Sequence, residues 1–381
     1  MRASYIAFAV PFFFLLIAVE LVVARARRRS LYRLGDVIGD LGCGMAQQVA
    51  LVFLAATILS AYTWVYDHCR VVTWQSSAAA WGLAFVGVDF LYYWWHRLSH
   101  EVNLLWAAHV VHHQSEDYNL AVALRQAILT TFTAQLFYLP LAIAGVPTIV
   151  FASVNAISTL YQFWIHTELV GKLGWLEGWI NTPSHHRVHH AINQQYLDRN
   201  YGAIFIVWDR LFGTFEREDE RCVYGVVKPL ASFNPIWAQV EPLVSLARAS
   251  FHAPRPIDKL LIWVKSPAWR PAGVAPYPGV EDGSYLRRAK YDARAPRSLQ
   301  VYVVVQLALG TLATTALMFT QATASRPLLA VGALLVVLTL ATSAGLLESR
   351  RWARPAELLR LGLVGLAIVA YARGAAPFTA G

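Results

Sequence analysis

Long apolar runs separated by short basic loops make up most of this chain. They fall at about residues 5–24, 45–65, 78–95, 299–321, 327–347 and 356–373. Each is close to the roughly 20 helical residues that cross a hydrocarbon core about 30 Å thick. Backbone polar groups in such a core must be paired within their own segment, so the runs read as membrane-spanning helices. A further apolar stretch at about 127–165 is broken by Pro140, Gly145 and Pro147. Proline removes a backbone donor and disfavours helix just before it, which predicts a helical hairpin or two short spans. Residues 217–298 differ: they are polar, rich in proline and charge, and read as a cytoplasmic segment with amphipathic or surface-lying pieces. The expected fold class is all-α, a polytopic integral membrane bundle. Its expected domains are N-terminal spans at 1–75, a catalytic domain at 76–216, the polar segment at 217–298 and C-terminal spans at 299–381.

Composition agrees. The 381 residues are 57% hydrophobic and only 14% charged, against about 25% in soluble chains. Arg25, Arg27, Arg28, Arg29 and Arg33 follow the first run, and no small-residue cleavage motif does, so a retained anchor is expected rather than a cleaved signal peptide. These arginines and those at 350–354 place their loops in the cytoplasm. Counting spans from there puts residues 66–77 outside and the end of the third run inside. The net charge of +9 suits anionic lipid, and no basic stripe with exposed aromatics suggests nucleic acid. Cys43, Cys69 and Cys222 are too few and scattered for a disulfide framework or a zinc ribbon. Preference for arginine over lysine, with abundant alanine, points to a high-GC bacterial genome and so to a bacterial inner membrane.

Ten of the twelve histidines lie between residues 96 and 190. They form His96-Arg-Leu-Ser-His100, His109-Val-Val-His112-His113, a lone His166, and His185-His186-Arg187-Val188-His189-His190. Positions i, i+3 and i+4 share a helix face, so each box is a clamp of two or three imidazoles, ligands suited to iron, copper and zinc. His96, His100, His109, His112, His113, His166, His186, His189 and His190 exceed the four nitrogens of one tetrahedral site. They divide sensibly between two metals, an arrangement with open positions for oxygen or water. The third run ends in Tyr92, Tyr93, Trp94 and Trp95, an interfacial belt, so the boxes form a cap at the cytoplasmic mouth. His185 would point about 100° from His186, as a supporting residue or one bonded to a carboxylate. His68 and His252 read as structural.

Few carboxylates lie near the boxes. Asp89, seven residues before His96, shares its face and can accept a proton from a ligand ring; capping or packing is the alternative. Glu101 can support a ring, anchor a polar cosubstrate, or simply end a solvated helix. Glu168 is a weaker candidate, and Glu116 and Asp117 read as helix caps. Residues Tyr92–Trp95 and Tyr161–Trp164 either line an alkyl channel or pack at the interface.

The strings Tyr-Tyr-Trp-Trp-His-Arg at 92–97, His-His-Gln-Ser-Glu-Asp-Tyr-Asn at 112–119, Tyr-Gln-Phe-Trp-Ile-His-Thr-Glu at 161–168, Asn-Thr-Pro-Ser-His-His-Arg-Val-His-His at 181–190 and Trp-Asp-Arg-Leu-Phe-Gly-Thr-Phe at 208–215 resemble the fatty acid hydroxylase (sterol desaturase) superfamily of membrane di-iron oxygenases. The detail is most similar to its alkylglycerol monooxygenase branch. The resemblance implies two irons held by the nine histidines, dioxygen as oxidant, a lipid substrate cleaved at its ether bond, and tetrahydrobiopterin as reductant. It also implies a required acidic residue at Glu101. Fatty acid hydroxylases carry histidine where this chain has Gln162, which argues against that branch and leaves Gln162 as a possible supporting residue. No cytochrome b5 module or dinucleotide fingerprint is visible; Gly39-Asp-Leu-Gly42-Cys-Gly44 follows no strand. Electrons would come from an external reductant or an electron-transfer protein.

The boxes alone also suit a sterol, carotenoid or fatty-acyl hydroxylase or desaturase, since substrate choice lies in channel shape. A metal transporter needs ionisable residues through the bilayer depth. Here the histidines collect at one face, and the span interiors show almost no charge apart from Asp89.

Overall fold

The computed structural model describes residues 5–74, 77–274, 277, 279–280, 282–293 and 295–372. Residues 1–4 and 373–381, the outer ends of the first and last expected domains, lie outside the described residues. Among those described there are helices and two isolated bridges, Ile180 with Phe205 and Ala191 with Tyr224, and no extended strand.

The apolar runs are helical: α1 (Tyr5–Ala26), α2 (Leu34–Cys69), α3 (Ala78–Glu101), α11 (Arg297–Thr320), α12 (Arg326–Leu347) and α13 (Ala353–Ala372). Between them lie α4 (Asn103–His113), α5 (Ile128–Ile143), α6 (Thr148–Trp164), α7 (Pro183–His190), α8 (Val207–Leu211), α9 (Pro235–His252) and α10 (Pro256–Val264). With exposed Phe8, Phe12, Leu312, Leu334 and Leu366 on the long apolar helices, this is an integral membrane bundle whose lipid side is itself apolar. The broken stretch resolves into two short helices. Gly145 turns the chain between them at φ +87°, where an added Cβ would stand 1.8 Å from the Val72 carbonyl oxygen.

Two helices outrun the expected spans. The second begins at Leu34, and its first three turns pack into the histidine cap. Gly44 lets it approach the 122–124 turn, with a hypothetical Cβ 2.3 Å from the Leu124 oxygen. Helix α3, capped by Ser77 accepting from the Ala80 amide at 3.3 Å, continues to Glu101. It thereby carries His96 and His100 on a rigid rod that starts inside the bundle. Helix α9 opens with Asn234 accepting from the Ile236 and Trp237 amides and with Pro235 in its first turn. It packs against α2, α4 and α12, so part of the polar segment is a wall of the cap.

The spans are less free of charge than the runs suggested. Glu20 on α1 is buried and accepts from Tyr32, Thr167 and the Leu120 amide. Glu357 and Arg360 on α13 pair with each other; Arg360 also donates to Gln306 on α11 at 2.8 Å and Thr339 on α12 at 3.1 Å. Paired groups of this kind survive burial because no charge is left without a partner. Here they tie three C-terminal helices together. Glu116 and Asp117 cap nothing. Glu116 accepts from the Tyr291 amide at 2.6 Å, while Asp117 accepts from Arg33 at 3.1 Å and Lys290 at 2.7 Å, pinning remote segments to the cap.

Candidate metal centre

The fold gathers all nine box histidines, in two groups. His96, His100, His109, His113 and His189 form one; His112, His166, His186 and His190 form the other. Within each, one nitrogen per ring lies within 4.8 Å of all the rest, and every residue is buried. The groups interleave because successive residues of one helix face different ways. His109 and His113, one turn apart on α4, point to the first group and His112 to the second. On α7, His189 and His190 divide likewise.

Four rings reveal their own protonation. The Nδ1 atoms of His96, His112, His166 and His189 lie 2.8, 2.9, 2.7 and 2.9 Å from the carbonyl oxygens of Tyr201, Arg125, Gln162 and Arg199. A carbonyl oxygen only accepts, so each Nδ1 carries the proton and each Nε2 presents a lone pair. His112 and His166 nevertheless face each other Nε2 to Nε2 at 3.2 Å. No proton is available for that contact unless a ring becomes cationic. Burial opposes this, pushing His112 down to about 4 and His166 well below the ordinary imidazole value. The Nε2 atoms of His100 and His189 are buried with no partner among the described residues. Converging lone pairs without protons are what a cation requires, and an all-imidazole set suits a pair of first-row metal ions.

Secondary contacts hold these rings. Arg125, whose carbonyl orients His112, donates to the Val111 carbonyl at 2.6 Å, Asp40 at 3.1 Å and Gln114 at 2.9 Å. Asp209 accepts from the Tyr201 and Gly202 amides at 2.7 and 2.8 Å and from Thr214, fixing the strand of backbone that orients His96. Arg187 reaches from α7 to the Thr167 and Val170 carbonyls beside His166. Sequence reading gave Asp209, Arg125 and Arg187 no role, although Asp209 and Arg187 lie inside motif strings. A buried charged residue amid apolar and metal-binding types was the available signal.

The other candidates lie elsewhere. Asp89 meets no imidazole: it accepts from the Ile204 and Phe205 amides at 2.7 and 3.2 Å and from the Trp208 indole at 2.8 Å. Helical spacing puts it on the His96 face, but the neighbouring loop claims its oxygens first. Glu101 sits half-exposed on the rim beside His100, accepting from Arg97 at 2.8 Å. Glu168 pairs with Arg29 of the basic loop. His185 stays outside both groups, packed edge-on to Phe215 at 5.3 Å, and burial pushes its ring down to about 4. Gln162 supports His166 through its backbone carbonyl, while its side chain donates to Ser158.

A cavity of about 330 Å³ leads from the histidines into the bundle. His109, His112 and His166 line its inner end; Tyr92, Trp95, Phe13, Phe14 and Gln135 line the body, and Thr311 and Met318 come from the C-terminal block. Of the aromatic belt, Tyr92 and Trp95 face this cavity. Tyr93 and Trp94 pack on Phe212, and Tyr161 donates to the Asn181 carbonyl at 2.6 Å.

Residues 81–214 match the family model described as fatty acid hydroxylase. The chain is 38% identical to alkylglycerol monooxygenase of Homo sapiens over 94% of its own length and 81% of the relative's. It is 38% identical to that of Danio rerio over 95% and 82%, and 39% identical to that of Xenopus tropicalis over 70% and 60%. No solved structure matches the chain.

Proposed function

The chain belongs to the alkylglycerol monooxygenase family, and from that premise we propose that it hydroxylates the ether-bonded carbon of an alkylglycerol with dioxygen. The observation that carries this is the pair of buried imidazole groups, with His112 and His166 turned lone pair to lone pair, at the end of a cavity that opens toward the apolar spans.

Two iron ions fit these donors, five imidazoles for one and four for the other. When bound, iron supplies activation of dioxygen and delivery of one oxygen atom to a C–H bond. The protein supplies the rest. Carbonyl-anchored Nδ1 protons keep the rings aimed inward, and the cavity excludes bulk water and holds one carbon of the substrate at the histidine end. Hydroxylation at that carbon gives a hemiacetal. Its hydroxyl proton is given up and the departing ether oxygen takes one up as the carbon–oxygen bond breaks, so a fatty aldehyde and a glycerol derivative separate. The second oxygen atom becomes water, which needs two electrons and two protons. Tetrahydrobiopterin is the donor we favour. Glu101, on the rim beside His100 and not in the cavity, is placed to hold a polar cosubstrate there.

Arg25–Arg29 set the histidine end on the cytoplasmic side. The relatives spanning most of the chain are animal proteins, so a bacterial inner membrane draws no support from them. We assign catalysis to residues 76–216, with α1, α2 and α11 completing the cavity.

The test is aldehyde release from an alkylglycerol by the purified, iron-loaded protein with oxygen, with and without tetrahydrobiopterin. Pterin-dependent aldehyde is expected. A hydroxylated acyl or sterol product, with no aldehyde, would move the chain to the neighbouring chemistry of the superfamily.

A further inference from the structure

Helices α9 and α10 are apolar on two sides, and only one side has a partner among the described residues. On α9 the row Pro235, Ala238, Pro242 and Leu246 is buried. On α10 Ile262 is buried, and with Leu246, Ala253 and Ala107 of α4 it makes a small core. A second row on α9, Trp237, Val240 and Phe251 with half-buried Val244 among them, is exposed. Successive residues turn about 100°, so this row runs along the side of α9 away from the buried one. Helix α10 repeats the arrangement. Its Ile257, Leu260 and Val264, spaced i, i+3 and i+7, are exposed, Leu260 by 69% beside Phe251 at 74% on α9. A helix facing water carries polar residues on its outer side. An apolar outer row marks a contact surface.

The place of the hairpin in the fold says what covers that surface. Gln239 of α9 accepts from the Ile128 amide and donates to the Gln126 carbonyl, both at 2.9 Å, at the first turn of α5. Just before α9, Ser232 donates to Glu348 at 2.8 Å, directly after α12. The hairpin therefore starts where the apolar helices of the bundle end on the histidine side. From Pro235 to Arg270 the chain carries five basic residues, Arg248, Arg255, Lys259, Lys265 and Arg270, all exposed. Its two acids are matched: Glu241 pairs with Lys228 at 3.2 Å, and buried Asp258 with Arg255 at 2.8 Å. The Lys259 ammonium lies 5.6 Å from the Phe251 ring centre, a cation beside the exposed row. Apolar side chains rimmed by free cations suit a bilayer surface with anionic headgroups. A second copy of this chain would bring the same positive charge to the contact.

We propose that the α9–α10 hairpin is a lipid-docking foot: its exposed apolar residues enter the leaflet on the histidine side, and Arg248, Lys259, Lys265 and Arg270 bind anionic headgroups there. The proposal stands apart from the ether-lipid reading, because nothing in it depends on the metals or the substrate. Its consequence reaches the site nonetheless. Helix α4, which carries His109, His112 and His113, packs against both α9 and α10, so the docked hairpin braces that helix against the membrane.

The test places a fluorophore on this face of the full chain in nanodiscs. Cys43 and Cys222 are buried, so Cys69→Ser leaves no exposed thiol, and Leu260→Cys or Phe251→Cys then carries the label. Asp219→Cys, whose native side chain is 72% exposed on the cap, is the water control. The quenchers are phosphatidylcholine and phosphatidylserine bearing a nitroxide near the headgroup end of one acyl chain. Labels at 260 and 251 should be quenched and the label at 219 should not. The serine lipid should quench about twofold more strongly than the choline lipid, and raised salt should shrink that difference. Arg248→Gln, Lys259→Gln and Lys265→Gln together should abolish the difference and keep quenching by the choline lipid, which shows the hairpin still folded and seated. Labels at 260 and 251 left unquenched overturn the proposal, whether the face stands in water or, as self-quenching between labels in two-chain discs would show, against a second copy. Equal quenching by the two lipids with all four cations in place overturns it as well.

Discussion

Arg187 grips both oxygens of Glu218, from Nε at 2.7 Å and from Nη2 at 2.6 Å. Its remaining nitrogen holds the Thr167 and Val170 carbonyls. One side chain thus clamps α7, the His166 loop and the 216–222 segment. Glu218→Ala would leave the guanidinium buried without its counter-charge, a change expected to cost about 3 kcal/mol. Thermal unfolding should show the loss, and iron content should fall because Arg187 lies between His186 and His189. A variant that melts like the wild type would remove the clamp from the account.

The two histidine groups should load separately. His166→Ala takes one of four donors from the second group and leaves the first intact; His100→Ala does the opposite. Each is expected to lower bound iron from about two per chain toward one, consistent with a centre of two metals. Elemental analysis of protein reconstituted under identical conditions decides it. Full iron and full turnover in His100→Ala would exclude that residue as a ligand.

Acid should act through the same rings. Burial first, and neighbouring imidazoles second, push His109, His113, His186, His189 and His190 well below their ordinary value; burial pushes His112 to about 4. In the unfolded chain these groups titrate near 6.5. Below about 6.5 the unfolded chain therefore holds more protons than the folded one, so stability falls as pH is lowered from there toward about 4. Protons compete for the same lone pairs, and metal should leave over that interval. Chemical denaturation of the metal-free protein from pH 8 to pH 5 checks the sign: a flat profile throughout would contradict it.

Asp209 offers a finer perturbation. Asn in its place presents one oxygen to two backbone amides and turns an NH2 group toward the other. The Tyr201 carbonyl, and with it the His96 ring, would lose its fixed position. Metal affinity of the first group should drop about 10–100-fold, measured by chelator competition, with the second group retained.

Helical periodicity made the centre legible, because box spacing and shared helix faces are local properties. The same rule misplaced Asp89. Seven residues do put it on the His96 face, but its three donors come from residues 204–208, a loop that no periodicity announces. Glu116, Asp117 and Glu168 failed for a related reason: their partners are Arg33, Lys290, Tyr291 and Arg29, distant in sequence. Glu20, Glu357 and Arg360 went unread because the apolar runs around them dominate any window average. The cavity was visible only in outline, since seven helices, α1 to α6 and α11, must meet before its wall exists.

The helix that supplies Thr311, Thr314, Thr315 and Met318 to the cavity begins at Arg297, more than one hundred residues after His190. One part of the tail's surroundings is thereby written in a stretch of the gene separate from the oxidation chemistry. Drift in the later stretch can retune which chain lengths fit while every imidazole stays in place. A breeder of new specificities would mutagenise that helix first, and a fragment ending at the last histidine would keep the ligands but lack part of its mould.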